Sequence, residues 1–341
     1  MRGPMRVPKL MRAAWLAALA ALAATPAAPF ERLDGFNVVA VPGHPFGSAS
    51  ARRSLTAARR LGANTVAIIP FLWQASPSST AIDRGSDMPD AALRTAIRET
   101  HAVGLRTVIK PHVWVPERWA GTVAPAAEDG WRDWFAGYRA ALDRIVRIAA
   151  EEKADALVIG TELSKTVARP EWLDVIAGVR AAFPGPVFYV AHDVAEAEAV
   201  PFWDRLDAIG VSLYPPLGAD GDEAARRGAM RAAVARLEAI ARRFGKPVIV
   251  AEVGLRSAVG AAAKPWESAE ERTAEADPRL QAQVLADWLA VLGRPSIRGV
   301  LVWRWFTDPG AGGAADTDFT VQNKPAEGVL LCAWTGGCGR R

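Results

Sequence analysis

Residues 156–164 read Ala156-Leu-Val-Ile-Gly160-Thr161-Glu162-Leu-Ser164, an apolar run that ends in a glycine, a hydroxyl and a carboxylate. Its apolar residues are consecutive rather than alternating, as in a strand covered on both faces inside a parallel sheet. A second run, Pro247-Val-Ile-Val-Ala251-Glu252-Val-Gly254, ends the same way. A charged side chain at the top of such a strand points into the mouth of the sheet's carboxyl end, where parallel α/β proteins place their ligand sites.

Outward from these two stretches, short apolar runs alternate with longer segments of helical period. The runs are Phe36 to Val41, Thr65 to Phe71, Arg106 to Pro111, Ala156 to Gly160, Val187 to Val190, Ala208 to Leu213, Pro247 to Ala251 and Gly299 to Trp303. Helices are expected over Ala49 to Leu61, Pro89 to Val103, Trp131 to Lys153, Pro170 to Phe183, Ala197 to Leu206, Glu223 to Phe244 and Pro278 to Leu292. Gly62, Gly104, Gly245 and Gly293 follow four of them as left-handed caps. Eight β-α units in about 300 residues, with no glycine-rich dinucleotide fingerprint after the first strand, define a single-domain (β/α)8 TIM barrel over residues 30–328. The longest irregular stretches, Gln74 to Met88, Trp114 to Gly130, Ser257 to Asp277 and Thr307 to Glu327, all follow strand carboxyl ends.

The termini bound the setting. Arg2, Arg6, Lys9 and Arg12 precede an apolar run from Ala13 to Ala24 and then small residues and prolines to Pro29, the layout of a secretory signal peptide over residues 1–29. That run is too short to span a bilayer, so no stable membrane insertion is expected after cleavage, and the mature chain belongs in the periplasm or outside the cell. Loss of the leader removes four basic side chains and no acidic one, taking the formal charge from +4 to 0. The basic balance therefore gives no ground for nucleic-acid binding. Cys332 and Cys338, the two cysteines, would close a small disulfide loop in a C-terminal tail over residues 329–341. His44, His112 and His192 all fall at strand ends but show no close histidine pair or His-x-x-x-His spacing, so neither metal nor cofactor is expected. Nothing in the sequence fixes an oligomeric state.

Glu162 and Glu252 are three β-α units apart, so closure of the barrel turns them toward each other across its mouth. Glycosidic cleavage needs such a pair: one acid protonates the leaving oxygen while a second carboxylate attacks or stabilises the anomeric carbon. The alternative is a strand-end salt bridge or cap at each.

The chain resembles the clan of retaining (β/α)8 glycosidases whose acid/base and nucleophile glutamates follow strands four and seven. Within it, Gly160-Thr-Glu-Leu-Ser164, Ala251-Glu-Val-Gly-Leu-Arg-Ser257 and Lys264-Pro-Trp-Glu267 are similar to the active-site segments of the family 113 mannanases. The resemblance implies Glu162 as acid/base, Glu252 as nucleophile and a β-1,4-mannan or mannooligosaccharide substrate. It departs from the wider clan at Thr161, where many members hold the sugar 2-hydroxyl with asparagine. It also implies Trp303 as floor of the subsite holding the reacting sugar, and strand alternation puts Trp305 on the same face with Arg304 opposite. Core packing is the rival reading of both tryptophans.

The remaining expectations concern the surrounding shell. Tyr214, after the sixth run, would donate to Glu252. Lys110 and His112, after the third, and His192, after the fifth, flank the strand of Glu162, where they would bind hydroxyls or bias its pKa. Trp73 with Gln74, and Trp266 in the long seventh loop, would wall neighbouring subsites. Double displacement asks for Glu162 raised and Glu252 low, and hence for a bell-shaped pH profile. A non-catalytic carbohydrate-binding barrel is the competing class, and a phosphosugar barrel, based on Gly310, Gly312 and Gly313, a minor one.

Overall fold

The computed structural model describes residues 31–336. The expected leader over residues 1–29, and Cys338 of the expected disulfide, lie outside them. Among the described residues, eight parallel strands close a barrel: β1 (Leu33–Val39), β2 (Thr65–Ile68), β3 (Arg106–Ile109), β4 (Ala156–Thr161), β5 (Val187–Ala191), β6 (Ala208–Leu213), β7 (Val248–Val253) and β8 (Ile297–Phe306). Each pairs with its sequence neighbours, and β8 returns to β1. In β2, β4, β5, β6 and β7 every residue is buried, which accounts for the continuous apolar runs.

The helices that follow are α1 (Ala49–Arg60), α2 (Asp90–Ala102), α3 (Glu128–Glu151), α4 (Trp172–Ala182), α5 (Val194–Ala199), α6 (Glu223–Phe244), α7 (Pro278–Val291) and α8 (Ala326–Thr335). Side chains of Ser48, Asp193, Asp222 and Asp277 accept amide N–H bonds at the starts of α1, α5, α6 and α7, satisfying donors that a helix start leaves open. Gly62, Gly104 and Gly245 take left-handed conformations as expected, whereas Gly293 does not.

Three features depart from the expected layout. The second and third runs stop at Ile68 and Ile109, because Pro70 and Pro111 interrupt the ladder. The chain resumes beyond each proline in a separate three-stranded sheet, where Phe71–Trp73 pairs parallel with His112–Trp114 and antiparallel with Asp83–Arg84. The fifth helical segment begins early, at Val194, and gives way to a short 3-10 turn at Trp203–Arg205. Finally, the expected division between barrel and tail at residue 328 falls inside α8. That helix buries Ala326 and Leu330 and sets Trp334 edge-on to Phe36 at 5.2 Å.

The two longest loops after β7 and β8 are tied together. Arg256 is fully buried and donates to the carbonyls of Ser268, Arg272 and Thr317. Lys324 donates to Ser257 Oγ, Asp316 Oδ1 and the Asp318 carbonyl. The polar continuation after Glu252 thus shapes loops instead of facing the mouth.

Gly254, just past β7, packs so closely on β8 that an added Cβ would lie 2.4 Å from the Trp303 carbonyl oxygen. Gly254→Ala is expected to destabilise the fold by about 1–3 kcal/mol through overpacking. The readout is the urea midpoint, and an unchanged midpoint would refute the close approach.

Candidate active site

Glu162 and Glu252 stand at the carboxyl ends of β4 and β7, each 8% exposed. They lie within electrostatic reach of one another, since the charge of Glu162 raises the pKa of Glu252. The barrel has therefore brought together the two carboxylates that the sequence placed 90 positions apart.

Glu162 adopts a left-handed backbone with φ 56°, a conformation costing an ordinary residue roughly 1–3 kcal/mol. Hydrogen bonds on both sides hold it there. Its N–H donates to the Val190 carbonyl at 2.8 Å, and the next N–H, of Leu163, donates to the Tyr189 hydroxyl at 2.8 Å. Tyr189 donates its own O–H to Glu196 Oε1 at 2.6 Å. The other oxygen of Glu196 accepts from the His192 amide at 3.0 Å and from the Ser164 hydroxyl. A buried carboxylate thus fixes the backbone around both Glu162 and His192. Neither Glu196 nor Tyr189 figures among the residues expected from sequence, because their role depends on Leu163 and Ser164, which reach them from the end of β4.

The carboxylate of Glu162 accepts at Oε2 from the Trp119 indole N–H at 2.8 Å and meets His192 Nδ1 at 3.0 Å. The Trp119 and His192 rings lie against each other with centroids 4.1 Å apart. Trp119 also went unforeseen, although it is an aromatic residue inside one of the long strand-end loops. Burial pushes the Glu162 carboxyl up, but the hydrogen bond and charge of His192 outweigh it and hold the pKa at about 2. Burial lowers His192, and the bond and charge of Glu162 overcome that to leave it raised.

Lys110 is fully buried and donates its ammonium to Glu252 Oε1, while the Tyr214 hydroxyl donates to Oε2 at 3.3 Å. Tyr214 is therefore where the sequence put it, but Lys110 serves Glu252 across the mouth instead of Glu162 beside it. Burial raises Glu252, Lys110 opposes and the charge of Glu162 adds, leaving the carboxyl above its ordinary range. The resting polarity is thus the reverse of the one expected: Glu162 is low and Glu252 raised. His192, which the sequence placed beside Glu162, lowers it through a hydrogen bond and its charge, whereas burial and the charge of Glu162 raise Glu252 by more than Lys110 and Tyr214 lower it.

The other expected residues separate. Trp303 is half-buried, with the Lys110 ammonium 5.5 Å from its ring centre, so it borders the carboxylate pair. Trp305 does not share that face: it is buried, packs on Phe36 at 4.6 Å and donates to Ser54 Oγ at 2.7 Å. Asn37 pairs with Trp303 but Val38 with Trp305, so Arg304 is an extra residue in a bulge that resets the alternation. Thr161 is also buried, and its hydroxyl donates to the Pro111 carbonyl at 3.0 Å, which commits it to the barrel wall. Burial lowers His112 to about 4, so the ring is neutral near pH 7. Its Nδ1 finds no partner among the described residues. Trp266 is 50% exposed on the seventh loop, and Trp73 is 39% exposed on the small sheet. Gln74 is internal, accepting from the Trp134 indole at 2.8 Å. Among the described residues no group of three or more His, Cys, Asp or Glu side chains is placed to hold a metal ion.

A TIM barrel with paired glutamates after strands four and seven is the frame of a glycoside hydrolase. The model of Glycoside Hydrolase Family 113 matches residues 35–324, and the chain belongs to that family. It is similar to the GH113 β-mannanase of Alicyclobacillus acidocaldarius, solved in complex with ManMIm, with TM-score 0.81 and 24% identity over 90% of this chain and 98% of that one. A complex structure of a GH113 β-1,4-mannanase gives TM-score 0.80 and 25% identity over 90% and 99%. A Ruminococcus gnavus β-glucuronidase, 15% identical with TM-score 0.62 over 89% of this chain and 50% of that one, shares the fold. No curated protein matches the chain significantly.

Two predictions test this arrangement. Because the Glu162 pKa is depressed, its ionisation stabilises the fold above the pKa of about 4.3 of an unfolded glutamate, and that contribution is lost as pH falls toward 2. Between pH 5 and 2 the wild type should therefore lose more Tm than Glu162→Gln does, and parallel losses would refute the ion pair. Trp305→Ala should cost about 3–5 kcal/mol of stability. Trp303→Ala should cost much less yet reduce turnover, as thermal melts and assays of the two variants would show.

Proposed function

We propose that the protein is an exported retaining β-mannanase that cleaves β-1,4-mannan or mannooligosaccharides by double displacement. The observation that carries the reading is the pair of buried carboxylates at one barrel mouth, one against a histidine and the other against a lysine and a tyrosine. The β-mannanases named above, similar over nearly their whole length, support the sugar. The basic, apolar and small-residue layout of residues 1–29 supports export to the periplasm or beyond.

The resting polarity leads to a definite order of events. The lowered Glu162 and raised His192 favour a shared proton resting on the histidine side of the pair. Movement of that proton from His192 to Glu162 removes the negative charge that raises Glu252, so Lys110 and Tyr214 then hold Glu252 ionised. The productive form, protonated Glu162 facing ionised Glu252, is reached by this single transfer.

Glu162 then protonates the departing oxygen while Glu252 attacks the anomeric carbon. In the second step Glu162, now ionised, takes a proton from the water that hydrolyses the glycosyl-enzyme. Trp303 forms a wall of the reacting subsite. Activity falls as pH rises through the raised pKa of His192, which empties the pair of its proton. It falls on the acid side as Glu252 protonates, giving a bell.

The test is a screen of mature protein against defined β-linked oligosaccharides, with the product anomer followed by NMR. Net retention on mannooligosaccharides is expected, and inversion would refute double displacement. Glu252→Gln should abolish turnover while leaving oligosaccharide binding measurable. Glu162→Ala should lose about 100- to 10,000-fold on natural linkages, the usual range for a missing general acid, and far less on aryl glycosides with good leaving groups. Equal loss on both would remove Glu162 from the acid role.

A further inference from the structure

Beside the acid side of the pocket lies a third buried carboxylate. Glu196 is 7% exposed in the first turn of α5, and its own N–H donates to Asp193 Oδ1 at 2.7 Å. Among the described residues its carboxylate accepts from three donors, and all three serve the Glu162–His192 pair. The His192 amide donates to Oε2 at 3.0 Å and the Ser164 hydroxyl to the same oxygen, while the Tyr189 hydroxyl donates to Oε1 at 2.6 Å. Tyr189 in turn accepts from the N–H of Leu163, the residue after Glu162, at 2.8 Å.

One anion therefore ties the segment that carries the acid, at the end of β4, to the segment that carries the histidine, at the end of β5. Neither segment is set by regular structure at the reacting residue. Glu162 is left-handed at φ 56°, and His192 lies between β5 and α5. The 3.0 Å approach of His192 Nδ1 to Glu162 Oε2 depends on where these two backbones stand. A tie of this shape does not need a charge, and a buried charge is unfavourable. Burial raises the Glu196 carboxyl, and the charge of Glu162 adds to the rise.

We propose that Glu196 is a positioning residue of the acid step, which sets the approach of His192 to Glu162 and supplies a fixed negative charge beside them. The inference rests on the glycosidase reading given above and adds to it a third carboxylate that acts without touching the sugar. A nearby anion favours the protonated forms of both His192 and Glu162, so their shared proton is kept to higher pH than it would be beside a neutral group. The other charged groups facing the pair are Asp193 beside His192, His112 beside Glu162, and Glu252 and Lys110 across the mouth. Tyr189 and Tyr214 stay neutral, raised by burial, and Arg236 of α6 is engaged by Glu198. A substitution at Glu196 leaves all of these in place.

The experiment compares the wild type with Glu196→Gln, Glu196→Asp and Ser164→Ala. Glu196→Gln keeps the size of the side chain, removes the charge and replaces one acceptor oxygen with a donor. Its kcat should fall about 10- to 100-fold, the scale of a slightly misplaced catalytic group, with KM little changed. The alkaline limb of its kcat/KM profile should move to lower pH. An NMR titration of the His192 ring, its signal assigned by its loss in His192→Gln, should move the same way. Glu196→Asp keeps the charge on a shorter stem, so it should leave the limb in place and recover part of kcat.

An unmoved limb and an unmoved His192 titration in Glu196→Gln would overturn the proposal, and a lower Tm alone would mark Glu196 as a structural tie only. Should Glu196→Gln fail to fold, Ser164→Ala decides, since it removes one of the three bonds and keeps the carboxylate. Reduced kcat at unchanged KM would then support the role, and unchanged kcat would overturn it. A wild type that cleaves no β-linked oligosaccharide would refute the glycosidase reading, and the His192 titration then decides on Glu196 alone.

Discussion

Two carboxylates buried in one barrel mouth repel each other, and neither is well solvated by water. The polar contacts around them answer that constraint. Lys110 crosses the mouth to Glu252, His192 and Trp119 close on Glu162, and Tyr214 supplies a neutral donor to Glu252. Removing one member of such a set strands a buried charge, a larger penalty than the contact itself is worth. The compensation is asymmetric, with a titratable base on one carboxylate and a lysine on the other. That asymmetry distinguishes two otherwise similar glutamates.

Around Glu162 the same logic extends into the backbone. A left-handed residue at the end of a strand is unfavourable by itself, and it persists because Val190, Tyr189 and Glu196 bind the chain on both sides. Glu196 also lies at the start of α5, where its N–H bonds to Asp193 and its carboxylate anchors the His192 amide. The helix start, the histidine and the strained glutamate form one connected unit. A shift in α5 would therefore be transmitted to the acid side of the pocket.

The barrel was legible because both faces of its strands are covered, which leaves continuous apolar runs, and the two glutamates were legible because each ends such a run with a charge. What stayed hidden is set by contacts between elements. Nothing local in Lys110-Pro-His112 shows that the lysine turns toward β7 and the histidine loses its proton to burial. Strand alternation put Trp305 beside Trp303, and a one-residue bulge opposite Asn37 and Val38 sent it to the core. The small sheet could have been anticipated, since Pro70 and Pro111 stand at equivalent points of neighbouring runs and a proline seldom continues an internal ladder. Thr161 looked like a shortened substitute for a sugar-binding amide, whereas its hydroxyl is bonded to the chain just after β3.

Bonds from Arg256 to the Thr317 carbonyl, from Ser257 to the Asp316 and Asp318 carbonyls and from Lys324 to Ser257 join the loops after β7 and β8 into a single mechanical piece. Neither loop can be exchanged alone without breaking a bond of a buried cation, Arg256 to Thr317 or Lys324 to Ser257. Grafting them as a pair is the natural way to transplant this rim onto a related scaffold. Divergence of the rim in homologous enzymes should then proceed by correlated changes in both segments, with the Arg256 and Lys324 positions either kept together or replaced together.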